Sequence, residues 1–317
     1  MKHNKSFTAF LFILILFVSL QSSAGLNDAT WYVSIDVDQI KNNEIYRVFQ
    51  ANINQPPNDF PTKFEKIPKE ISYISLYGNA KGAENATAVI HGDFSQFSIS
   101  DYALEFLYSQ EDVAELINES SVGYKNQLIK VLQAEEVEGN DGQKIKEVYF
   151  SKVNNNLTVV SFQLDEVKNW IDQNYDNHQI NKGSLFSVVV DVQSALAHMG
   201  MNIDESNHMM QSEIFQKVAQ VSASASEVNS DMVLDVALTS NDEATAKQIE
   251  QVINGLVAMS NLSGSTDNNE LNITLMQNLK IERNGNNILI NTYASIEEII
   301  QMDSKHNNEG PNVKVEL

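Results

Sequence analysis

Two segments of the chain carry the same pattern of residues. The segment VYFSKVNNNLTVVSF, from Val148, aligns without a gap on LKIERNGNNILINTY, from Leu279. Each consists of two apolar-alternating runs around an Asn-rich turn, which is the signature of a β-hairpin. A helical stripe of apolar residues follows each one: Leu164, Val167, Trp170 and Ile171, then Ile296, Ile299 and Ile300. This echo predicts that one structural unit occurs twice in the chain.

The echo continues upstream. TWYVSIDVDQI, from Thr30, resembles SLFSVVVDVQSAL, from Ser184, and the strand pair predicted from Ile71 parallels the one predicted from Val218. A helix follows each strand pair; in the second copy, Ser240 and Glu243 have the spacing of a capping box. In the first copy we expect an additional short helix over 124–132. We therefore predict an α+β fold, a tandem duplication of a β-α-β-β-α-β-β-α module, with antiparallel-rich sheets and helices on one face.

The ends of the chain and its prolines set the domain boundaries. Lys2 and Lys5 precede an apolar stretch, Phe7–Leu20, and small residues end at Ala24, so we predict a cleaved signal peptide over 1–24. The first module is expected over 25–182, with a Pro-rich insertion over 50–70, and the second over 183–302. Residues 303–317 are expected to form a disordered tail. The predicted location is the periplasm or the extracellular medium, without stable membrane insertion after cleavage.

The arrangement resembles a broad set of uncharacterised exported bacterial proteins in which a small α+β unit is duplicated. The resemblance rests on the predicted architecture and on the repeated sequence pattern, and it extends over most of the mature chain. It implies export and a duplicated fold, and no functional residue transfers with it.

Composition and missing motifs narrow the function classes. The chain has 42 acidic and 21 basic residues, a net charge of −21, which disfavours nucleic-acid binding. It has no cysteine, which excludes disulfides and thiol catalysis. No nucleophile elbow, P-loop, dinucleotide-binding motif or zinc-protease motif occurs, so no catalytic residue is assigned. We therefore expect a non-enzymatic binding protein whose partner is an envelope protein or a small ligand.

Two local features carry candidate sites. HMGMNIDESNHMM groups thioether and imidazole side chains, soft ligands that suit Cu(I) or Ag(I), and its candidate ligands are His198, Met199, Met201, His208, Met209 and Met210. Alternatively, these methionines fill a core. Phe60 and Phe64 lie in the Pro-rich insertion, where they either contact a partner or pack within their own domain.

An enzyme remains a second alternative. Its site would be assembled from scattered residues in the cleft between the two modules, with His91 or Asp191 contributing.

Overall fold

The described residues contain twelve strands and six helices of six or more residues. In the computed structural model, they are residues 26–51, 67–79, 86–108, 117–134, 147–175, 183–194, 217–263 and 270–300. The chain divides into two units. The first unit is Met1–Asp38, Glu65–Lys182 and Ser194–Asn202, and the second is Gln39–Phe64, Gly183–Gln193 and Ile203–Leu317.

Seven antiparallel strands form the sheet of the first unit. They are β1 (Trp31–Asp36), β2 (Ile71–Gly78), β3 (Thr87–Gly92), β4 (Ile117–Tyr124), β5 (Gln127–Ala134), β6 (Glu147–Asn154) and β7 (Leu157–Ser161). Their spatial order is β1-β2-β3-β7-β6-β5-β4, and every neighbouring pair is antiparallel. Four helices occur in this stretch of the chain: α1 (Val37–Asn42), α2 (Glu44–Ala51), α3 (Ile99–Tyr108) and α4 (Leu164–Ile171). Of these, α3 and α4 belong to the first unit, and α2 belongs to the second.

Five antiparallel strands form the sheet of the second unit. They are β8 (Phe186–Asp191), β9 (Val218–Val228), β10 (Asp231–Ser240), β11 (Lys280–Asn284) and β12 (Asn287–Ser295). Their spatial order is β8-β9-β10-β12-β11. Two helices, α5 (Glu243–Ser263) and α6 (Glu270–Gln277), lie between β10 and β11 in the chain, and residues 296–300 are also helical.

The α+β class is confirmed, since the described part is mostly antiparallel sheet with a few helices. The two echoing segments form the predicted hairpins, β6–β7 and β11–β12. None of the helices in these residues is both long and apolar enough to cross a membrane.

The prediction of helices on one face is wrong for the first unit. Val167 and Trp170 of α4 pack on Val159 and Ile129, on the side of the sheet that we call the α4 face. Lys130 follows Ile129 in β5, so its side chain points to the opposite side, where its ammonium meets the carboxylate of Asp101 in α3. The two helices therefore cover opposite faces.

The helix expected over 124–132 is also wrong, because β4 and β5 form a hairpin there. Leu128, Ile129, Val131 and Leu132 fit a helical stripe as well as a half-buried strand, and so short a run does not distinguish the two. A positive φ of 51° at Lys125 turns the chain between the strands.

The predicted capping box of Ser240 and Glu243 is wrong, because a different residue caps the helix. Helix α5 begins at Glu243, so Asp242 is the residue that caps it, and its carboxylate accepts the backbone N–H of Thr245 at 2.8 Å. Ser240 instead ends β10, and its hydroxyl donates to the Asp242 carbonyl at 2.6 Å. Behind the cap, Ala246 and Ile249 pack on Ile288 of β12, and all three are 0% exposed. Burying each isoleucine contributes about 1.5–3 kcal/mol.

Candidate functional site

The residues named as candidate sites from the sequence lie mostly outside the described residues. The copper candidates His198, Met199, Met201, His208, Met209 and Met210 do so, as do Phe60 and Phe64. The copper site and the aromatic contact therefore stay predictions. Within the described ranges, no three His, Asp or Glu side chains are grouped closely enough to hold a metal ion. His91 lies in β3, where its ring meets that of Tyr73 edge-on at 5.9 Å, and Asp191 ends β8.

One face of the sheet in the second unit carries small, polar side chains on β9. Strand β9 contains the run SASAS, and side chains alternate between the two faces of a strand. Ser222, Ser224 and Ser226 therefore share one face, opposite the face on which α5 packs. We call the side that carries these serines the serine face.

Strand register arranges the serine face in rows that cross the sheet. One row runs from Ser224 through Asp235 and Asn291 to Lys280. The neighbouring row runs from Ser222 through Ala237 and Leu289 to Glu282. Directly opposed side chains on neighbouring strands lie within reach of one another. Accordingly, Asn291 Nδ2 donates to Asp235 Oδ1 at 2.8 Å.

A cavity of about 410 Å³ opens over these rows. Its lining is Ser222, Ser224, Asp235, Val236, Ala237, Lys280, Glu282, Leu289, Ile290 and Asn291. The volume falls in the range of about 300–1,000 Å³ that is typical of small-molecule sites. The lining offers hydroxyl, amide, carboxylate and ammonium groups, and Leu289, 47% exposed, adds an apolar contact. The chemistry suits a polar ligand that both donates and accepts hydrogen bonds.

The α4 face of the first unit is built on rows of the same form. One row is Tyr77, Thr87, Ser161 and Tyr149, and the next is Ser75, Val89, Val159 and Ser151. Tyr77, Val89 and Val159 are at most 2% exposed because α4 packs on them. When the turn residues Asn156 and Asn286 are taken as equivalent, which is one position away from the ungapped sequence alignment, the corresponding positions of the serine face are Ser224, Ala237 and Leu289. Ser224 and Ala237 are smaller than Tyr77 and Val89, and both line the cavity.

A buried carboxylate lies under α4 in the first unit. Glu166, 2% exposed, accepts hydrogen bonds from the backbone N–H of Leu26 at 3.1 Å, from the Tyr77 hydroxyl, and from the Tyr175 hydroxyl at 2.8 Å. Trp170 Nε1 donates to the Tyr77 oxygen at 2.7 Å. Three donors thus satisfy the carboxylate, as a buried charge requires.

The two tyrosines of this network remain protonated over a wide pH range. Burial and the adjacent Glu166 carboxylate raise the pKa of Tyr77. Burial, followed by the hydrogen bond to Glu166, raises the pKa of Tyr175 to about 12. Both hydroxyls donate hydrogen bonds to the carboxylate. The network therefore connects Leu26, β2 and α4, and we call it the Glu166 tie. The only sequence signal for this hydrogen-bond network is the acidic residue Glu166 beside the apolar stripe of α4.

The fold defines the protein as an α+β chain built mainly on antiparallel sheet. No protein-family model matches it, and no curated protein is significantly similar. It is weakly similar to solved structures of TP0453. Crystal form III has a TM-score of 0.44 at 10% identity, covering 90% of this chain and 99% of that one. Crystal form I scores 0.41 at 11% identity (90% and 98% covered), and crystal form IV scores 0.43 at 11% identity (89% and 97%).

Proposed function

We propose that the protein is an exported, non-enzymatic binding protein that holds a small polar ligand on the serine face of its second unit. One observation carries this proposal: a cavity of about 410 Å³ lies over Ser222, Ser224 and Ala237, whereas α4 packs on the matching rows of the first unit. A face of small polar residues that is left open has room for a ligand without any rearrangement of the sheet.

The two units arose, in this proposal, by duplication of one module. The strand order β1-β2-β3-β7-β6 of the first unit parallels β8-β9-β10-β12-β11 of the second. A matched pair of hydrogen bonds supports the correspondence. Asn156 Nδ2 donates to the Gly92 carbonyl at 3.2 Å, and the Gly92 N–H donates to the Asn156 carbonyl at 3.1 Å. Asn286 and Ser240 repeat the pair at 3.1 Å and 2.9 Å.

Duplication explains why one copy can bind while the other supports the fold. The first copy carries the additional hairpin β4–β5 at the edge of its sheet, and its α4 face is packed core. The second copy keeps the shared strand order with Ser224 and Ala237 in place of Tyr77 and Val89, so its serine face is free to specialise.

Export places the ligand outside the cytoplasm. The basic start, the apolar stretch Phe7–Leu20 and the small residues before Gly25 support a signal peptide cleaved after Ala24. The ligand is therefore a solute of the periplasm or the medium, or a polar group displayed there. The excess of carboxylates, 42 acidic against 21 basic residues, favours neutral, zwitterionic or cationic ligands over anions.

Native mass spectrometry of the protein purified from its producing cells tests the proposal. We expect the parent protein to carry a bound small molecule, and Ser222→Trp and Ser224→Trp to lose it because indole rings fill the cavity. Ser120→Trp, at an exposed position of β4, is the matched control and should retain the molecule. A parent protein without bound mass, or retention by both cavity variants, would contradict the proposal.

A further inference from the structure

We infer that strand β4 is a self-association edge, at which a second copy of this chain adds its own β4 in antiparallel orientation. Strand β4 ends the sheet of the first unit and pairs, among the described strands, only with β5. The six residues from Asn118 to Gly123 are all exposed. An exposed sheet edge presents unpaired N–H and C=O groups that another strand can bind.

The edge lacks the features that usually block strand addition. Strand β4 has 8 residues, contains no lysine or proline, and carries Glu119 as its one charged residue. The edge of the second unit differs: β11 has 5 residues, among them Lys280, Glu282 and Arg283. Short, charged edges discourage pairing, whereas long and nearly neutral ones invite it. The contrast within one molecule identifies β4 as the edge suited to a partner strand.

The register of the β4–β5 hairpin identifies which groups point outward. Tyr124 and Gln127 flank the two-residue turn, so they form a hydrogen-bonded pair, and such pairs alternate along the ladder. The even-numbered residues of β4 therefore bond to β5. The N–H and C=O groups of Glu119, Ser121 and Gly123 point away from the sheet, ready to bond a further strand.

The hairpin is held in place by contacts at its turn. Tyr124 Oη donates to Asp172 Oδ2 at 2.9 Å, and Lys125 Nζ lies 2.5 Å from Asp172 Oδ1. These contacts fix the turn against the end of α4. An edge that is already ordered loses little conformational entropy when a second strand adds to it.

The charges near β4 favour a second copy as the occupant. Glu119 lies 3.6 Å from Lys130, which also pairs with Asp101, so the charge of Glu119 is partly offset in a strongly acidic chain. A twofold axis through Ser121 places Glu119 opposite Gly123 of the second copy and Ser120 opposite Val122. No like charges face each other, and about six main-chain hydrogen bonds form across the axis. The interface is small, so the dimer is weak and depends on protein concentration.

A single introduced cysteine tests this arrangement, because the chain has none of its own. At the axis, Ser121 faces its own copy at a Cα separation of about 5.5 Å, which a disulfide can span. Ser121→Cys should therefore give a disulfide-linked dimer on mild oxidation at about 100 µM protein, a concentration suited to a weak interface of this size. Asn118→Cys is the matched control and should stay monomeric, since its own counterpart lies roughly 20 Å along the strand.

A second variant tests the hydrogen bonds themselves. Ser121→Pro removes an outward N–H, a position where an edge strand tolerates proline, so the protein should fold and sediment as a monomer. Where this variant fails to fold, Ser121→Lys replaces it, because two lysines would then face each other across the axis. Failure of Ser121→Cys to cross-link, equal cross-linking by Asn118→Cys, or a dimer that survives Ser121→Pro or Ser121→Lys would overturn the inference.

Discussion

The carboxylate of Glu166 accepts a hydrogen bond from the backbone N–H of Leu26, 140 positions earlier in the chain, at 3.1 Å. Tyr77 and Tyr175 donate to the same carboxylate. One buried charge thus joins the start of the described chain to β2 and α4.

Removing the charge at the Glu166 tie should destabilise the protein. Glu166→Gln retains one acceptor oxygen but places an amide group against tyrosine hydroxyls, and we expect a loss of about 1–3 kcal/mol in the free energy of unfolding. Urea denaturation measures it. Asp165→Asn is the control. The Asp165 side chain, next to Glu166 in the chain, is 90% exposed, so this substitution should change the free energy of unfolding by no more than about 0.5 kcal/mol. Equal effects of both changes would contradict a structural role for Glu166.

Alkaline pH should weaken the same region. The pKa of Tyr77 is raised in the folded protein, and that of Tyr175 is raised to about 12, whereas both ionise near their ordinary value of 10 when unfolded. Their stabilising contribution is therefore complete below pH 10 and is lost as pH rises towards 12. We expect the free energy of unfolding, measured by urea titration, to fall over this interval. Tyr175→Phe should reduce the slope, and an unchanged slope would contradict the assignment.

Gly92 should not tolerate a side chain. A Cβ there would lie 2.0 Å from the Glu70 carbonyl oxygen, so Gly92→Ala must displace backbone and should cost about 1–3 kcal/mol or more. Gly123→Ala is the matched control because no atom lies within 4 Å of its Cβ position. This change should stabilise the protein by about 0.4–1 kcal/mol, because alanine lowers the conformational entropy of the unfolded chain. Thermal melting of both variants checks the contrast, and a neutral Gly92→Ala would refute the close approach.

Gln173 should accept glycine with a gain in stability. It follows the C-cap of α4 and has a φ of 56°, a conformation that costs a non-glycine residue about 1 kcal/mol. Gln173→Gly should therefore raise the free energy of unfolding by a similar amount. Asn174→Gly, next in the chain and outside the positive-φ region, should give no gain. A stabilising Asn174→Gly, or a destabilising Gln173→Gly, would contradict this view of the helix end.

The local features of the fold were predictable from the sequence. The two hairpins followed from Asn-rich turns between alternating runs, and the stripe of α4 followed from the spacing of Val167 and Trp170. The β4–β5 hairpin was missed because Leu128, Ile129, Val131 and Leu132 satisfy two periodicities at once. The spacing of Ser240 to Glu243 matches a capping box, although Asp242 is the residue that caps the helix.

The candidate site depended on tertiary packing and was not predictable. The run SASAS indicates a strand with serines on one side, yet no local pattern tells whether a helix will cover those serines. The partners of Glu166 lie 140, 89 and 9 positions away, so only the folded chain brings them together. The copper candidates between His198 and Met210 follow from ligand chemistry alone, and they lie outside the described residues.

Amide hydrogen exchange tests the central claim most directly. The protein purified from its producing cells would be compared with the same protein after unfolding, removal of small molecules and refolding. We predict faster exchange after removal in β9, β10 and β12, whose side chains form the serine face, and unchanged exchange in β2, β3 and β7. Identical exchange in both samples, or a change confined to the first unit, would contradict a ligand site on the serine face.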